Sequence, residues 1–391
     1  MTTTATIIPM NSQVPYIPRL VSLSALLKQK SHFLFGPRQT GKTSLITNDM
    51  PGVRVYDLLD TSVYLSLSQN PGRLSEELQT SDRFVVIDEI QRLPVLLHEV
   101  QRLIDKRHIR FLLTGSNARK LRGGGVNLLG GRARVKHLHP FVRKELGEQF
   151  NLGRALNSGL LPSIYFSENA RADLEAYAGT YLQQEVVAEG SARNIPAFSR
   201  FLRIAALCNG TVVNFTNVAN DAQVPRTTVY EYFEVLKDTL IVYELPAWQK
   251  STQRKPLVSS KFYFFDIGVA GVLQGRQFAP GTTEYGEAFE TYIAQELRAF
   301  SDYESGETLS FWRSASGYEV DFIIGDHTAV EVKAKQNIAP QDLRSLTALS
   351  EEGKFKRYIC VSLEPRPRRI GDIHVLPYEE FLDALWGGEF I

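Results

Sequence analysis

The stretch GPRQTGKT, Gly36 to Thr43, has the spacing G-x-x-x-x-G-K-[ST] and stands between an apolar strand-like run, HFLF, and a helical run, TSLITN. In such a turn the backbone N–H groups and the N-terminus of the following helix cradle phosphate oxygens. Gly36, Pro37, Arg38, Gln39, Thr40, Gly41 and Ser44 would line the phosphates, Lys42 would reach the β and γ phosphates, and Thr43 would ligate Mg2+. RFVVIDEIQ sets Asp88 and Glu89 directly after a four-residue apolar run. Asp88 is placed to hold the Mg2+ of bound ATP through water, and Glu89 to polarise an attacking water. The glutamate favours hydrolysis over nucleotide binding alone. IRFLLTGSNA ends in small polar residues, of which Ser116 or Asn117 would orient the water or sense the γ phosphate, with Thr114 a third candidate. LLGGRARV offers Arg132 and Arg134 beside a glycine pair, with the reach an arginine finger needs to enter a neighbouring subunit.

A second group of reactive side chains lies in GYEVDFIIGDHTAVEVKAK. Alternate residues of a strand share a face, so Glu331 and Lys333 point the same way. A turn around Gly325 to Thr328 brings Asp321 across from Glu331. Two carboxylates on adjacent strands bind Mg2+, with Mn2+ as an alternative ion, while the ammonium of Lys333 positions or deprotonates the attacking water. That chemistry suits phosphodiester hydrolysis. Glu290, on a preceding helical stretch, is placed to extend the acidic metal cluster. A charged pair on an apolar strand is costly to bury unpaired. A metal site, a binding module that keeps the fold without activity, and a solvated edge strand each account for it.

These groups need elements to position them. HFLFG (32–36), VRVYD (53–57), RFVVID (83–88) and IRFLLTG (109–115) read as buried strands alternating with helical stretches, which implies a largely parallel α/β sheet. From Phe141 to about Ala197 the pattern is helical. SRFLRIAALCNG then reads as a helix, TVVNF as a short strand, TNVANDA as a helix capped by Thr216, PRTTVYEYFEVLKDT as a third helix and LIVYELPAW as a strand. This is the order of a winged helix-turn-helix. Its third helix is net acidic, so packing or oligomerisation competes with DNA contact through Arg226, Thr227, Thr228 and Tyr230. Lys250, Arg254 and Lys255 would supply a basic wing. GEAFETYIAQELRAF is an amphipathic helix with Phe289, Ile293 and Leu297 on one face, followed by strand-spaced runs FWR, VDFIIG, AVEVKA, KRYICVSL and IHVLPY. Arg366, Arg368 and Arg369 read as an exposed basic loop, with contact to phosphate as the alternative.

The chain of 391 residues suits two to three domains at about 150 residues each. Hydrophobic residues at 43% and charged residues at 22% exclude a disordered, collagenous or coiled-coil chain. A net charge of +1 excludes a uniformly basic coat for nucleic acid, though not local patches. Cys208 and Cys360 are too far apart for a C-x-x-C site and fit a reducing cytosol. With neither a secretory signal nor a run of some 20 apolar residues, a soluble, cytoplasmic protein is expected.

The order GPRQTGKT, VVIDEIQ, LLTGSNA, GGRARV and LHPF resembles the prokaryotic AAA+ ATPases related to the archaeal-type ATPase group, over roughly residues 18 to 145. The resemblance implies an additional-strand, catalytic-glutamate fold, Asn117 or Ser116 in the sensor position, Arg132 as the finger in trans, and a homo-oligomer. Glu290, Asp321 and Glu331-x-Lys333 resemble the PD-(D/E)XK nuclease superfamily over about residues 284 to 380. The whole order also looks like a widespread group of prokaryotic ATPases in which KFYFFDIG (261–268) is a connecting strand.

The expected class is therefore α/β. A P-loop AAA+ domain (18–145) carries a parallel sheet with helices, and a helical linker or lid (146–197) follows. A winged helix-turn-helix with its connecting strand (198–282) comes next, then a C-terminal α/β PD-(D/E)XK-like domain (283–391). The expected function is ATP hydrolysis coupled to metal-dependent cleavage of nucleic acid, DNA ahead of RNA. The rival is an ATP-dependent switch or protein-interaction module with an inactive nuclease fold.

Overall fold

The computed structural model describes residues 16–116, 129–181, 194–251, 254 and 259–390. Asn117 and Lys255 lie outside the described residues. The apolar runs of the first third become β1 (Ser31–Phe35), β2 (Arg54–Asp57), β3 (Phe84–Asp88) and β4 (Arg110–Gly115). With β5 (Ala133–His137) they form a parallel sheet in the order β2-β3-β4-β1-β5. One strand, β4, thus sits between the strand that feeds the phosphate loop and the strand that carries Asp88. The near-continuous apolar character of β1, β3 and β4 follows from helices on both faces. Phe33, Phe35, Val85, Ile87, Phe111 and Leu113 pack on one side, and Leu34, Val86 and Leu112 on the other.

β5 was not anticipated. The run read as a loop bearing Arg132 and Arg134 is in its second half a strand. It lies at the sheet edge, where Arg134, Val135, Lys136 and His137 need no apolar pattern.

The middle of the chain begins with three short helices, Leu152–Ser158, Pro162–Tyr165 and Ala170–Ala176. The first packs closely on the helix Ile267–Gln274. Gly159 (φ +69°) faces the Asp266 carboxylate, and no side chain would fit between them. Helices Ile195–Leu207, Phe215–Ala222 and Arg226–Asp238 follow, then an antiparallel hairpin of β6 (Val242–Leu245) and β7 (Lys261–Phe264). The expected strand TVVNF is reduced to one bridge, Val212 to Lys261. The second helix is capped by Asn214, whose side chain accepts from Thr216 N and Asn217 N, and not by Thr216.

The last third is a six-stranded mixed sheet in the order β12-β13-β11-β10-β9-β8. Its strands are β8 (Leu309–Arg313), β9 (Glu319–Ile324), β10 (Thr328–Lys333), β11 (Arg357–Ser362), β12 (Arg368–Ile370) and β13 (Ile373–Pro377). The arginines read as a loop include Arg368 in β12, paired with Glu364 at 2.7 Å. The helix Thr283–Phe300 was expected to be amphipathic, but it is buried nearly all round. Besides Phe289, Ile293 and Leu297 it buries Tyr285, Tyr292, Ala294 and Glu296. Its apolar residues share one core with the middle helices and with the final helix, Tyr378–Trp386.

Candidate functional site

The phosphate loop closes on the C-terminal end of β1. Gln39 (φ +63°) and Gly41 (φ +90°) take left-handed conformations just before the helix Lys42–Asp49. Lys42 Nζ donates to Gly36 O at 2.7 Å and Pro37 O at 3.0 Å, so the ammonium spans the turn. Arg19 fixes the loop from outside, donating to Thr40 O at 2.7 Å and pairing with Glu145 at 3.0 Å. Tyr177 O–H donates to Arg38 O at 3.3 Å and Ser163 Oγ to Gln39 Oε1 at 3.1 Å, so the helices after residue 150 lie against the loop. Thr43 and Ser44 are exposed at the helix start.

Asp88 ends β3 beside this loop. Thr43 Oγ1 stands 3.5 Å from Asp88 Oδ2, and the Thr114 hydroxyl donates to Asp88 Oδ1. Glu89 follows with φ +59°, a left-handed turn that lifts it out of the strand, and its N–H donates to Thr114 Oγ1 at 3.3 Å. Burial raises the Glu89 pKa, Lys42 opposes that shift, and the Asp88 charge adds to it. The Gln91 amide donates to Glu89 Oε2 and lies 3.4 Å from Ser116 Oγ. Lys42, Thr43, Asp88, Glu89 and Ser116 are thus brought together. Thr114, the third candidate, is the residue that bonds to both members of the acidic pair. Gln91 was missed, although its position two residues after Glu89 in DEIQ was visible. Arg132 is elsewhere. Ala133 pairs with Ser31, at the end of β1 away from the phosphate loop, and Arg132 Nε pairs on the surface with Asp105 at 2.7 Å.

In the C-terminal sheet, β9 and β10 are antiparallel with Phe322 opposite Val330, so the next step sets Asp321 opposite Glu331. Asp321 Oδ2 accepts from Val332 N at 2.8 Å, and Lys333 Nζ donates to Glu331 Oε1 at 2.5 Å. Glu331 Oε2 is buried without a hydrogen-bond partner. Burial, then the charges of Glu290 and Glu331, raise the Asp321 pKa well above its ordinary value. Burial likewise pushes Glu331 up to about 7, against the pull of Lys333. Burial alone would lower the Lys333 pKa, but Glu331 and Asp321 hold it raised.

The sequence reading had no place for Lys261 in this cluster. Its Nζ lies 2.6 Å from Glu319 Oε1, 3.5 Å from Glu290 Oε1 and 4.0 Å from Asp321 Oδ1. Tyr263 O–H donates to Glu290 Oε1 at 2.6 Å. Among the described residues no three His, Cys, Asp or Glu side chains are arranged to hold one metal ion. The expectation that Glu290, Asp321 and Glu331 form such a set therefore meets two lysines that take up part of their charge. No local signal in KFYFFDIG marks Lys261, because its partners are 29 to 60 residues away.

The expected basic wing is also engaged. Lys250 pairs with Asp326, in the turn between β9 and β10, at 2.5 Å, and Arg254 with Glu351, at the end of the helix Arg344–Ser350, at 2.5 Å. On the third helix, Arg226 donates to Tyr230 Oη at 2.9 Å, and Tyr230 stacks on Phe215 at 4.1 Å between ring centroids.

Residues 28–147 match the AAA domain family, residues 149–279 a domain of unknown function (DUF8612), and residues 285–381 another (DUF4143). The N-terminal unit is an AAA-type ATPase domain, which binds nucleotide, usually with Mg2+. Two uncharacterised proteins, from Mycobacterium bovis and Mycobacterium tuberculosis, are each 25% identical over 312 residues, 74% of this chain. The chain spans just under two thirds, 66%, of the length of these curated relatives. Among solved structures, the replication initiator DnaA bound to AMPPCP and single-stranded DNA is 16% identical. It covers 57% of this chain and 90% of its own, with a TM-score of 0.30. A STAND ATPase with a tetratricopeptide repeat sensor from Pyrococcus horikoshii is 14% identical, over 76% of this chain and 49% of its own, with a TM-score of 0.23. No helix of the described residues is long and apolar enough to cross a membrane.

Proposed function

We propose that the chain hydrolyses ATP at the Lys42–Asp88–Glu89 site and couples this to a C-terminal, divalent-ion-dependent site that cleaves DNA. The observation that carries the first half is the meeting of Asp88 and Glu89 with Lys42 and Thr43 at one end of the sheet, with β4 between the two strands that bring them there. Lys42 binds the β and γ phosphates, Thr43 and Asp88 hold Mg2+, and Glu89 polarises the attacking water. Thr114, with Ser116 or Asn117, fixes the orientation of these groups. Arg132, on the surface and away from its own loop, acts as a finger toward a neighbouring copy in a homo-oligomer. Steady-state ATPase assays test this half. Glu89→Gln should retain nucleotide binding and lose turnover by about 10²- to 10⁴-fold.

For the second half, the buried and unpartnered Glu331 Oε2 opposite Asp321 fits a divalent cation. That ion, Mg2+ or Mn2+, would polarise the phosphodiester and lower the pKa of a water. Asp321 and Glu331 hold it, and Lys333 orients the water or the phosphate. The three helices and hairpin of residues 195–264 support a winged-helix reading, with Arg226, Thr227, Thr228 and Tyr230 as the end of the third helix that meets a duplex. A cleavage assay on single- and double-stranded DNA and RNA with Mg2+ or Mn2+ decides. Product should be lost in Glu331→Ala and Lys333→Ala, and product that survives both changes sinks the nuclease reading.

Lys261 inside the cluster favours a second reading. In it the C-terminal fold is an inactive docking surface and the chain is an ATP-dependent switch. Absence of any metal-dependent product on all four substrates supports it.

A further inference from the structure

Lys261 and Tyr263 stand two residues apart on β7, hence on one face of the strand, and reach the carboxylate cluster from a distant part of the chain. Lys261 is 1% exposed. A buried ammonium is tolerated only when paired, and this one has Glu319, Glu290 and Asp321 within 4.0 Å and the Phe311 ring at 5.3 Å. The cluster therefore has two halves. In one, Glu290 and Glu319 are engaged by Lys261, with Tyr263 bonded to the same Glu290 oxygen. In the other, Asp321 and Glu331 face each other, and Glu331 Oε2 has no partner.

We propose that Lys261 is the resident cation of this site and takes the place of one divalent ion. The site then accepts a single ion, against Asp321 and Glu331, while Glu290 is a partner of Lys261 and Tyr263 and not a ligand. Lys261 acts as a positioning residue, and its charge weakens binding of the ion by repulsion across Asp321. This rests on the divalent-ion reading of the C-terminal site.

Mn2+ titration of the full chain without nucleotide, with free Mn2+ counted by electron paramagnetic resonance, tests it in wild type, E331Q, E290Q and K261M. Wild type should bind one ion that E331Q loses. E290Q should keep that ion with Kd within threefold, and K261M should bind it at least tenfold more tightly. Loss of the ion in E290Q overturns the proposal, as does a folded K261M that binds no more tightly than wild type. Should K261M fail to fold, E290Q decides alone. If wild type shows no ion that E331Q removes, the divalent-ion reading itself fails and the proposal with it.

Discussion

Thr114→Val tests whether the acidic pair is aligned by β4. Thr114 is fully buried at the end of that strand, and its hydroxyl donates to Asp88 Oδ1 while accepting from Glu89 N at 3.3 Å. Valine keeps the shape and removes both bonds. Asp88 is then left with Thr43 at 3.5 Å as its remaining hydroxyl partner in the site, and the strained turn at Glu89 (φ +59°) loses its anchor. A hydrogen bond to a charged group contributes about 1.5 to 3 kcal/mol. At about 1.4 kcal/mol per factor of ten, that is a fall of roughly 10- to 150-fold in kcat if the lost alignment is felt in the transition state. Thr114→Ser, which keeps the hydroxyl, should stay within about threefold of wild type. The assay is steady-state ATP hydrolysis at saturating Mg2+, with nucleotide affinity measured separately. A Thr114→Val variant that turns over within twofold of wild type would show that the two carboxylates need no support from β4.

Gly36→Ala should lower nucleotide affinity at least tenfold in a fluorescent-nucleotide titration, because its Cβ would fall 2.4 Å from Leu138 O and push the phosphate loop off the end of β5. Affinity within twofold of wild type counts against that contact. Glu296 is buried among Arg143 N, Trp386 Nε1 and Tyr292 O–H, and burial raises its pKa to about 7. A folded-state pKa above the unfolded value means stability fully present below about 4.5 and lost as pH rises through about 7. Glu296→Gln should therefore gain up to about 3 kcal/mol relative to wild type between pH 4.5 and 7, read by urea unfolding, and parallel curves would refute it. Burial alone would raise the Asp302 pKa, but hydrogen bonds from His137 and His139 and the Arg298 charge hold it well below the ordinary range. Its stabilisation is thus present above pH 3.8 and lost as pH falls through the lower folded value. Asp302→Asn should cost about 2 to 3 kcal/mol at pH 7, visible as a lower Tm, and an unchanged Tm removes the role given to this cluster.

What was legible in the sequence follows the range of the interactions involved. β1, β3 and β4 could be read because helices cover both faces and their central residues are apolar on both sides. The facing of Asp321 and Glu331 could be read because a tight antiparallel turn converts sequence spacing directly into register. β5 escaped because an edge strand carries Arg134, Lys136 and His137 without penalty, and the helix cap at Asn214 was misplaced by two residues beside a competing threonine. Lys261 was out of reach for a different reason. It is defined by tertiary neighbours, and a lone lysine at the start of FYFF reads as a strand terminus until the carboxylates of two other elements close on it.

The same distinction bears on how nucleotide state could reach the C-terminal site. The sheet of the ATPase domain has its own cores on its two faces, whereas the middle helices and the helix Thr283–Phe300 share one. The polar seam between the two bodies lies at β5. Lys136 Nζ donates to Asp302 O at 2.6 Å and Tyr303 O at 3.1 Å, His139 N donates to the Tyr303 hydroxyl at 2.9 Å, and Asp302 accepts from His139 at 2.7 Å. Asp302 and Tyr303 directly continue the helix that carries Glu290, ten residues or about 15 Å from Phe300. A side chain at Gly36 would meet Leu138 O, directly after the same strand. A shift of the phosphate loop has two ways toward that helix: through β5 to Asp302 and Tyr303, and through Ser163 and Tyr177, whose helices share its apolar core. Polar contacts at partly exposed seams break at far less cost than the shared apolar core, so these seams yield before that core does.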